Sequence, residues 1–185
     1  MDYINTYLEE VKTICDRINR DSIGEFIKSI SELKNRNGRL FILGVGGSAA
    51  NTSHAVNDFR KILNIEAYSV TDNSSELTAR INDDGWDTSY VNWLKVSNLN
   101  KNDAILIFSV GGGTDTVSLN LVRSMEYAKS MGSMILSVVS RDGGKAKELS
   151  DSCILIPTIV DSRITAHAEE WQGIILHLVV NSNIK

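Results

Sequence analysis

The 185-residue sequence predicts an α/β domain: a doubly wound, parallel five-stranded sheet between two helical layers, preceded by a pair of helices. Three observations lead there. From Arg39 onward, short apolar runs alternate with stretches of helical periodicity. The central runs are almost continuously apolar, as strands covered on both faces are. Two of them, Leu40-Phe41-Ile42-Leu43 and Ala104-Ile105-Leu106-Ile107-Phe108, lead into glycine-rich turns that open helices.

Residues 3–19 place Ile4, Leu8, Val11, Ile14, Cys15 and Ile18 at helical spacing. A second helix is expected after Asp21 or Ser22, either a competent N-cap, carrying Ile23, Phe26, Ile27, Ile30 and Leu33 and ending at Asn37-Gly38. Strands are then expected near 39–44, 66–71, 103–109, 134–140 and 153–157. Helices are expected near 48–63, 86–97, 114–131, 144–149 and 166–181. Right-handed crossovers and the strand order 2-1-3-4-5 put both glycine turns at the carboxyl ends of adjacent strands, flanking the point where the winding reverses. Sheets of this kind bind ligands there. The helical pair over 1–37 lies outside the alternation, and its apolar stripes need a cover, which a subunit interface would supply. Pro157 is the single proline, and no linker, repeat or low-complexity stretch marks a boundary, so 1–185 is read as one domain.

Composition excludes several classes. A net charge of −4 argues against non-specific nucleic-acid binding. No apolar run approaches the ~20 residues of a membrane span. The first residues lack the charged-then-apolar plan of a signal peptide, so a cytoplasmic protein with no membrane partner is expected. Cys15 and Cys153 are read as packing residues rather than a bridge.

The chemistry gathers around the two turns. Gly44-Val45-Gly46-Gly47-Ser48-Ala49 and Ser109-Val110-Gly111-Gly112-Gly113-Thr114 combine close backbone approach, free helix-start N–H groups and hydroxyls. Together they point to a pocket for a phosphorylated polyhydroxy compound. A dinucleotide fingerprint competes, since Gly44, Gly46 and Ala49 fit its loose form and Asp72 closes the second strand. The hydroxyl-lined second cradle, which a nicotinamide enzyme does not need, speaks against it, and no nucleotide is expected. His54 and Asp58 stand at i and i+4 on one helix face. Glu169 and His177 lie ~12 Å apart along the last helix, with Gly173 between them leaving room for both to lean towards a shared ion or substrate. A glycine there costs ~1 kcal/mol of helix stability relative to alanine. Taken singly, these residues have plain readings: His177 as a core histidine among Ile174, Ile175, Leu178 and Val179, Asp58 as a partner of Arg60 or Lys61, and Glu169 as a solvated first-turn charge.

Gly46-Gly47-Ser48-Ala49-Ala50 followed by His54, the stretch Asn82-Asp83-Asp84-Gly85-Trp86, the 109–114 loop and the helix from Glu169 to His177 resemble the sugar isomerase (SIS) domain. More narrowly, they resemble the phosphoheptose isomerases, over nearly the whole chain. The resemblance implies a flavodoxin-like sheet, a homotetramer with sites near subunit interfaces, and conversion of sedoheptulose 7-phosphate to D-glycero-D-manno-heptose 7-phosphate for surface polysaccharide. By position it implies that Gly46, Gly47 and Ser48 contact the sugar phosphate, that Ser109, Val110, Gly111 and Thr114 hold its phosphate, and that Asp83 binds its hydroxyls. The zinc ligand positions of the family are here His54, Asp58, Glu169 and His177, with Asp58 and Glu169 also touching substrate. Asp58 and His177 take the family's acid/base positions for an enediol mechanism.

The chain departs from the family pattern in places. Val45 replaces an asparagine, and Gly111 and Gly113 replace more polar residues, so phosphate would rely more on backbone N–H groups. Asp58 is one methylene shorter than the common glutamate, and Glu169 is anionic where many members have glutamine. Two carboxylates and two neutral imidazoles still balance a divalent ion, and mixed nitrogen and oxygen ligation suits zinc. The alternative is a non-catalytic SIS protein that binds phosphosugars as a regulator or associates with a replication initiator. It would need the phosphate cradle but not the acid, base and metal. His167 is assigned no role beyond surface or support. Asp161 and Arg163, before the last helix, are candidates for touching sugar hydroxyls.

Overall fold

Side chains along each central strand alternate between two apolar layers, and that alternation organises the molecule. The computed structural model describes residues 2–184. The helical pair is α1 (Asp2–Arg17) and α2 (Arg20–Asn35). The alternating part runs β1 (Leu40–Gly44), α3 (Gly47–Lys61), β2 (Ala67–Ser69), α4 (Ser74–Asp84), α5 (Trp86–Val96), β3 (Ala104–Phe108) and α6 (Leu119–Ser130). It ends with β4 (Met134–Val139), α7 (Gly144–Leu149), β5 (Ser152–Leu155), a 3-10 turn (Asp161–Arg163) and α8 (Ile164–Ser182).

The five strands are parallel in the order β2-β1-β3-β4-β5, the doubly wound arrangement the sequence predicts. Leu40, Ile42, Leu106, Phe108, Leu136 and Val138 pack against Ile14, Phe26, Phe59 and Ile175 of α1, α2, α3 and α8. Phe41, Leu43, Ile105, Ile107, Ile135 and Val139 pack on the other face against Tyr90, Leu94, Leu121 and Met125 of α5 and α6. Each such side chain contributes roughly 1.5–3 kcal/mol on burial. Gly44 sits opposite Phe108 in the β1–β3 register, so the two glycine turns leave the sheet side by side. The Tyr90 hydroxyl donates to the Gly44 carbonyl at 2.9 Å and fixes that exit.

Several local expectations are corrected. Asn19, not Asp21 or Ser22, caps α2: its side chain accepts the N–H groups of Asp21 (2.9 Å) and Ser22 (3.1 Å), which already lie in the first turn. Helix α4 was not anticipated, because it buries no residue and so has no apolar stripe to announce it. It is held by an Asn73 cap on the Glu76 N–H and by the Arg80–Glu76 pair. Helix α6 starts at Leu119 rather than near 114. Thr114 instead closes a turn, with its N–H on the Val117 carbonyl and its Oγ1 accepting the N–H groups of Thr116 and Val117. Cys15 is exposed and takes no part in the core, whereas Cys153 packs against the second apolar layer; both are free thiols.

Helix α1 buries Ile14 but leaves Tyr3, Ile4 and Leu8 more than half exposed. It is tied to the last helix by polar contacts. Glu10 accepts from Arg163 Nε at 2.8 Å and lies 2.8 Å from His167 Nε2, and the Tyr7 hydroxyl donates to Glu170 at 2.5 Å. No helix among the described residues is long and apolar enough to cross a membrane.

Candidate active site

The second glycine turn is clamped from behind by the loop after β4. The carbonyls of Val110, Gly113 and Gly112 accept the N–H groups of Ser140, Lys145 and Ala146, each at 2.9 Å. Gly112 (φ 71°) and Gly144 (φ 49°) lie in the left-handed region, and a Cβ on either would run into a facing carbonyl. Only glycine permits this backbone-to-backbone contact. With those carbonyls turned into the scaffold, the N–H groups of Val110, Gly111 and Gly113 have no acceptor among the described residues. Ser109 Oγ accepts the Gly112 N–H at 3.1 Å, and Thr114 Oγ1 accepts two N–H groups, so both hydroxyl hydrogens remain to be donated outward.

This turn forms one wall of a cleft of about 880 Å³. The opposite wall comes from Val45 and Ser48 of the first turn and from Asp161, Ile164 and Thr165 at the start of the last helix. The Ser48 hydroxyl is buried and has no partner within the described chain. A buried polar group without a partner is costly, so a ligand or water is expected to complete it.

From the cleft, α3 and α8 run away side by side in the same direction, and their contacts ascend in pairs. At Gly47 the Glu169 carboxylate lies so close that a Cβ would overlap it. One turn on, Asn51 Nδ2 donates to the Glu169 carbonyl and to Gln172 Oε1, both at 2.9 Å. Next come His54 and Asp58 opposite His177. His54 Nε2 lies 3.2 Å from Asp58 Oδ2, His177 Nε2 lies 3.1 Å from His54 Nε2, and His177 Nε2 lies 3.5 Å from Asp58 Oδ2. Asp58 is buried while both imidazoles are exposed, and its other oxygen accepts from Asn57 Nδ2 at 3.0 Å.

Two imidazole nitrogens facing each other over a buried carboxylate form a donor set that a shared cation satisfies. Around a tetrahedral ion with bonds near 2.0–2.1 Å, ligand atoms stand about 3.3 Å apart. The three observed separations bracket that spacing, so these residues fit a divalent metal. Glu169 is not part of this cluster. Its carboxylate faces Gly47, because eight residues of helix separate it from His177 and open space over Gly173 does not bend it across. His177 is exposed rather than a core histidine.

The other expected residues divide. Ser109, Val110, Gly111 and Thr114 line the cleft together with Ser48, while Gly46 (φ 65°) caps α3 and, like Gly47, is not among the cleft-lining residues. Asp83 is exposed near the end of α4, accepts from Asn82 at 2.8 Å, and is not among the cleft-lining residues. Asp161 lines the cleft, but Arg163 is turned away onto Glu10. His167 is buried against Glu10 and packs at a tilt on Tyr7 with ring centroids 4.7 Å apart, so it supports the helix start rather than standing at the surface. Sequence reasoning missed Asn51 and Gln172. The signal for Asn51 was its place on the His54–Asp58 face of α3, three residues before the histidine. Arg141, also missed, reaches the cleft only through its own left-handed backbone (φ 55°), which nothing in the sequence announces.

No family model matches the chain. Among curated proteins it is 31% identical over 155 residues to a phosphoheptose isomerase of Helicobacter pylori (strain HPAG1), covering 81% of this chain and 76% of that protein. It is 33% identical over 140 residues to a phosphoheptose isomerase of a Nitratiruptor species, covering 73% and 72%. Among solved structures it superposes on a phosphoheptose isomerase from Neisseria gonorrhoeae with a TM-score of 0.87 at 20% identity, over 98% of this chain and 97% of the other. The corresponding enzyme from Francisella tularensis gives 0.81 at 19% identity, over 97% and 95%. At those identities the structural likeness speaks for the fold alone.

Proposed function

The chain belongs to the phosphoheptose isomerase family of SIS-domain proteins, and we propose that it interconverts sedoheptulose 7-phosphate and D-glycero-D-manno-heptose 7-phosphate through an enediol(ate). In outline it is an aldose–ketose isomerase that acts on a sugar phosphate. The observation that carries the finer reading is the ladder along α3 and α8. It has a hydroxyl-lined anion seat at one end and two imidazoles with a buried carboxylate at the other.

In this reading the free N–H groups of the 109–114 loop and the hydroxyls of Ser109 and Thr114 hold the phosphate. Gly46, Gly47 and Ser48 lie along the sugar chain, with Glu169 beside Gly47 where it meets sugar hydroxyls. Anchoring the far phosphate orients the reacting carbons, which is worth more than any change in intrinsic basicity. Asp58 and His177 divide the two proton transfers, one between neighbouring carbons and one between their oxygens. His54, Asp58 and His177 would hold a zinc ion, which would supply polarisation of the carbonyl and stabilisation of enediolate charge. Asp83, off the cleft of its own chain, reaches sugar hydroxyls only in an assembly that brings it to a neighbour's cleft. Exposed Tyr3, Ile4 and Leu8 on α1, and Ile174 and Leu178 flanking His177 on α8, support such an assembly, which we take to be a homotetramer. The supply of heptose to a surface polysaccharide and a cytoplasmic location belong to the same proposal.

The test is to incubate the purified protein with sedoheptulose 7-phosphate and follow the aldose by NMR, with metal content and sedimentation equilibrium measured on the same preparation. Asp58→Asn and His177→Ala are each expected to lower turnover at least about 100-fold. Near-full turnover in both variants overturns the assignment of roles. Tight binding of the sugar phosphate without conversion favours the regulator reading instead.

A further inference from the structure

The cleft holds one cation that the functional reading does not use. Arg141 follows β4, in the turn closed by the Gly143 N–H on the Ser140 carbonyl, and its backbone is left-handed at φ 55°. Few non-glycine residues other than asparagine and aspartate adopt that conformation without cost. Here it carries the side chain across the gap to the 109–114 loop. Arg141 Cδ and Nε lie 3.6 and 3.9 Å from where a Cβ of Gly111 would stand, so the guanidinium arm occupies the space beside that glycine. The acids near it are engaged or distant. Asp142 Oδ1 accepts the Gly144 N–H at 3.1 Å, and Asp115 pairs with Lys145 at 3.5 Å. Asp161 lines the same cleft from the 3-10 turn but makes no ion pair with Arg141 among the described residues. An exposed cation without a carboxylate partner thus stands beside three unused backbone N–H groups.

We propose that Arg141 is a phosphate-binding residue of this isomerase, its guanidinium completing the anion seat of the 109–114 loop in place of a side chain at position 111. The inference rests on the phosphate-binding reading of that loop. A guanidinium offers paired donors to phosphate oxygens and a charge that no backbone N–H supplies. The absent side chain at Gly111 and the arginine beside it are therefore one device. A Cβ at 111 would stand in ordinary contact with the Arg141 arm and only a longer side chain would compete with it for space, whereas a neutral residue at 141 would leave a dianion facing dipoles alone.

Inorganic phosphate is the probe, titrated calorimetrically into the intact protein at fixed ionic strength. Arg141→Asn removes the charge while keeping a residue at ease in the left-handed conformation, and Arg141→Lys keeps the charge without the paired donors. Arg141→Asn is expected to weaken phosphate binding about 10- to 100-fold, with Arg141→Lys in between. With the sugar phosphate, the loss should fall on KM far more than on kcat. Thermal unfolding of each variant checks the fold, and the lysine variant separates charge from structure. Phosphate affinity in Arg141→Asn equal to that of the natural protein overturns the inference and leaves the functional reading intact. A natural protein that binds no phosphate in this cleft overturns both.

Discussion

Gly47 shows how little space the candidate site leaves. Any side chain there overlaps the Glu169 carboxylate, yet that carboxylate is the far end of a flexible arm and can swing aside. Gly47→Ala should therefore fold with a stability change within about 1 kcal/mol, because alanine also suits a first-turn helix position. The displaced carboxylate should lower turnover at least about tenfold, since beside Gly47 it meets the sugar hydroxyls in the proposed reading. Thermal unfolding and steady-state kinetics on one preparation check both halves. Asp58 and His54 were legible because an i, i+4 pair must share a helix face. The direction of the Glu169 side chain was not, since a three-torsion side chain is placed by packing that spacing does not encode.

The register of α3 on α8 decides whether His177 meets the pair on the other helix. One amide sets much of it. Asn51 donates twice across the interface, and Gln172, fully buried, has Nε2 without a partner and relies on Asn51 for its oxygen. Asn51→Ala should destabilise the protein by about 1–3 kcal/mol, the cost of leaving a buried amide unsatisfied. It should also weaken zinc affinity by loosening the spacing of His54, Asp58 and His177. Urea unfolding and a competitive zinc titration measure the two effects, and unchanged zinc affinity would mean the cluster is held by other contacts. The strands were legible since the apolar runs are too short for helices and several lead into glycine turns. The Asn51–Gln172 pairing, between residues 121 apart, has no periodicity to betray it. Helix α4 was invisible for a related reason: it buries no residue fully, and a partly buried Leu77 against the apolar layer makes no stripe.

The helical pair outside the sheet is joined to the rest through charge as well as through Ile14 and Phe26. Hydrogen bonds from Arg163 and His167 pull the Glu10 carboxyl down from 4.5 to about 2. A carboxyl whose folded value is depressed adds stability above its unfolded value and loses it as pH falls through the folded one. The natural protein should therefore lose stability between about pH 4.5 and pH 2 through this group. Glu10→Gln should be less stable at neutral pH and lack that part of the acid dependence. Thermal midpoints across the acid range read the difference, and parallel curves for the two proteins would refute the assignment. The sequence announced the helical pair as surplus to the alternation and so as a surface in need of a cover. It did not announce this anchor, because Arg163 was read towards sugar hydroxyls and not towards α1.

The clamped turn after β3 carries one more consequence. The carbonyls of Val110, Gly112 and Gly113 are already paired, and Gly112 and Gly113 already bent, before any ester arrives. Capture then freezes little additional chain motion, and association need not wait for this segment to rearrange. A seat that is rigid in advance cannot double as a lid. In the proposed reaction, shielding the enediolate from bulk solvent would then fall to other parts of the molecule or to a neighbouring protomer.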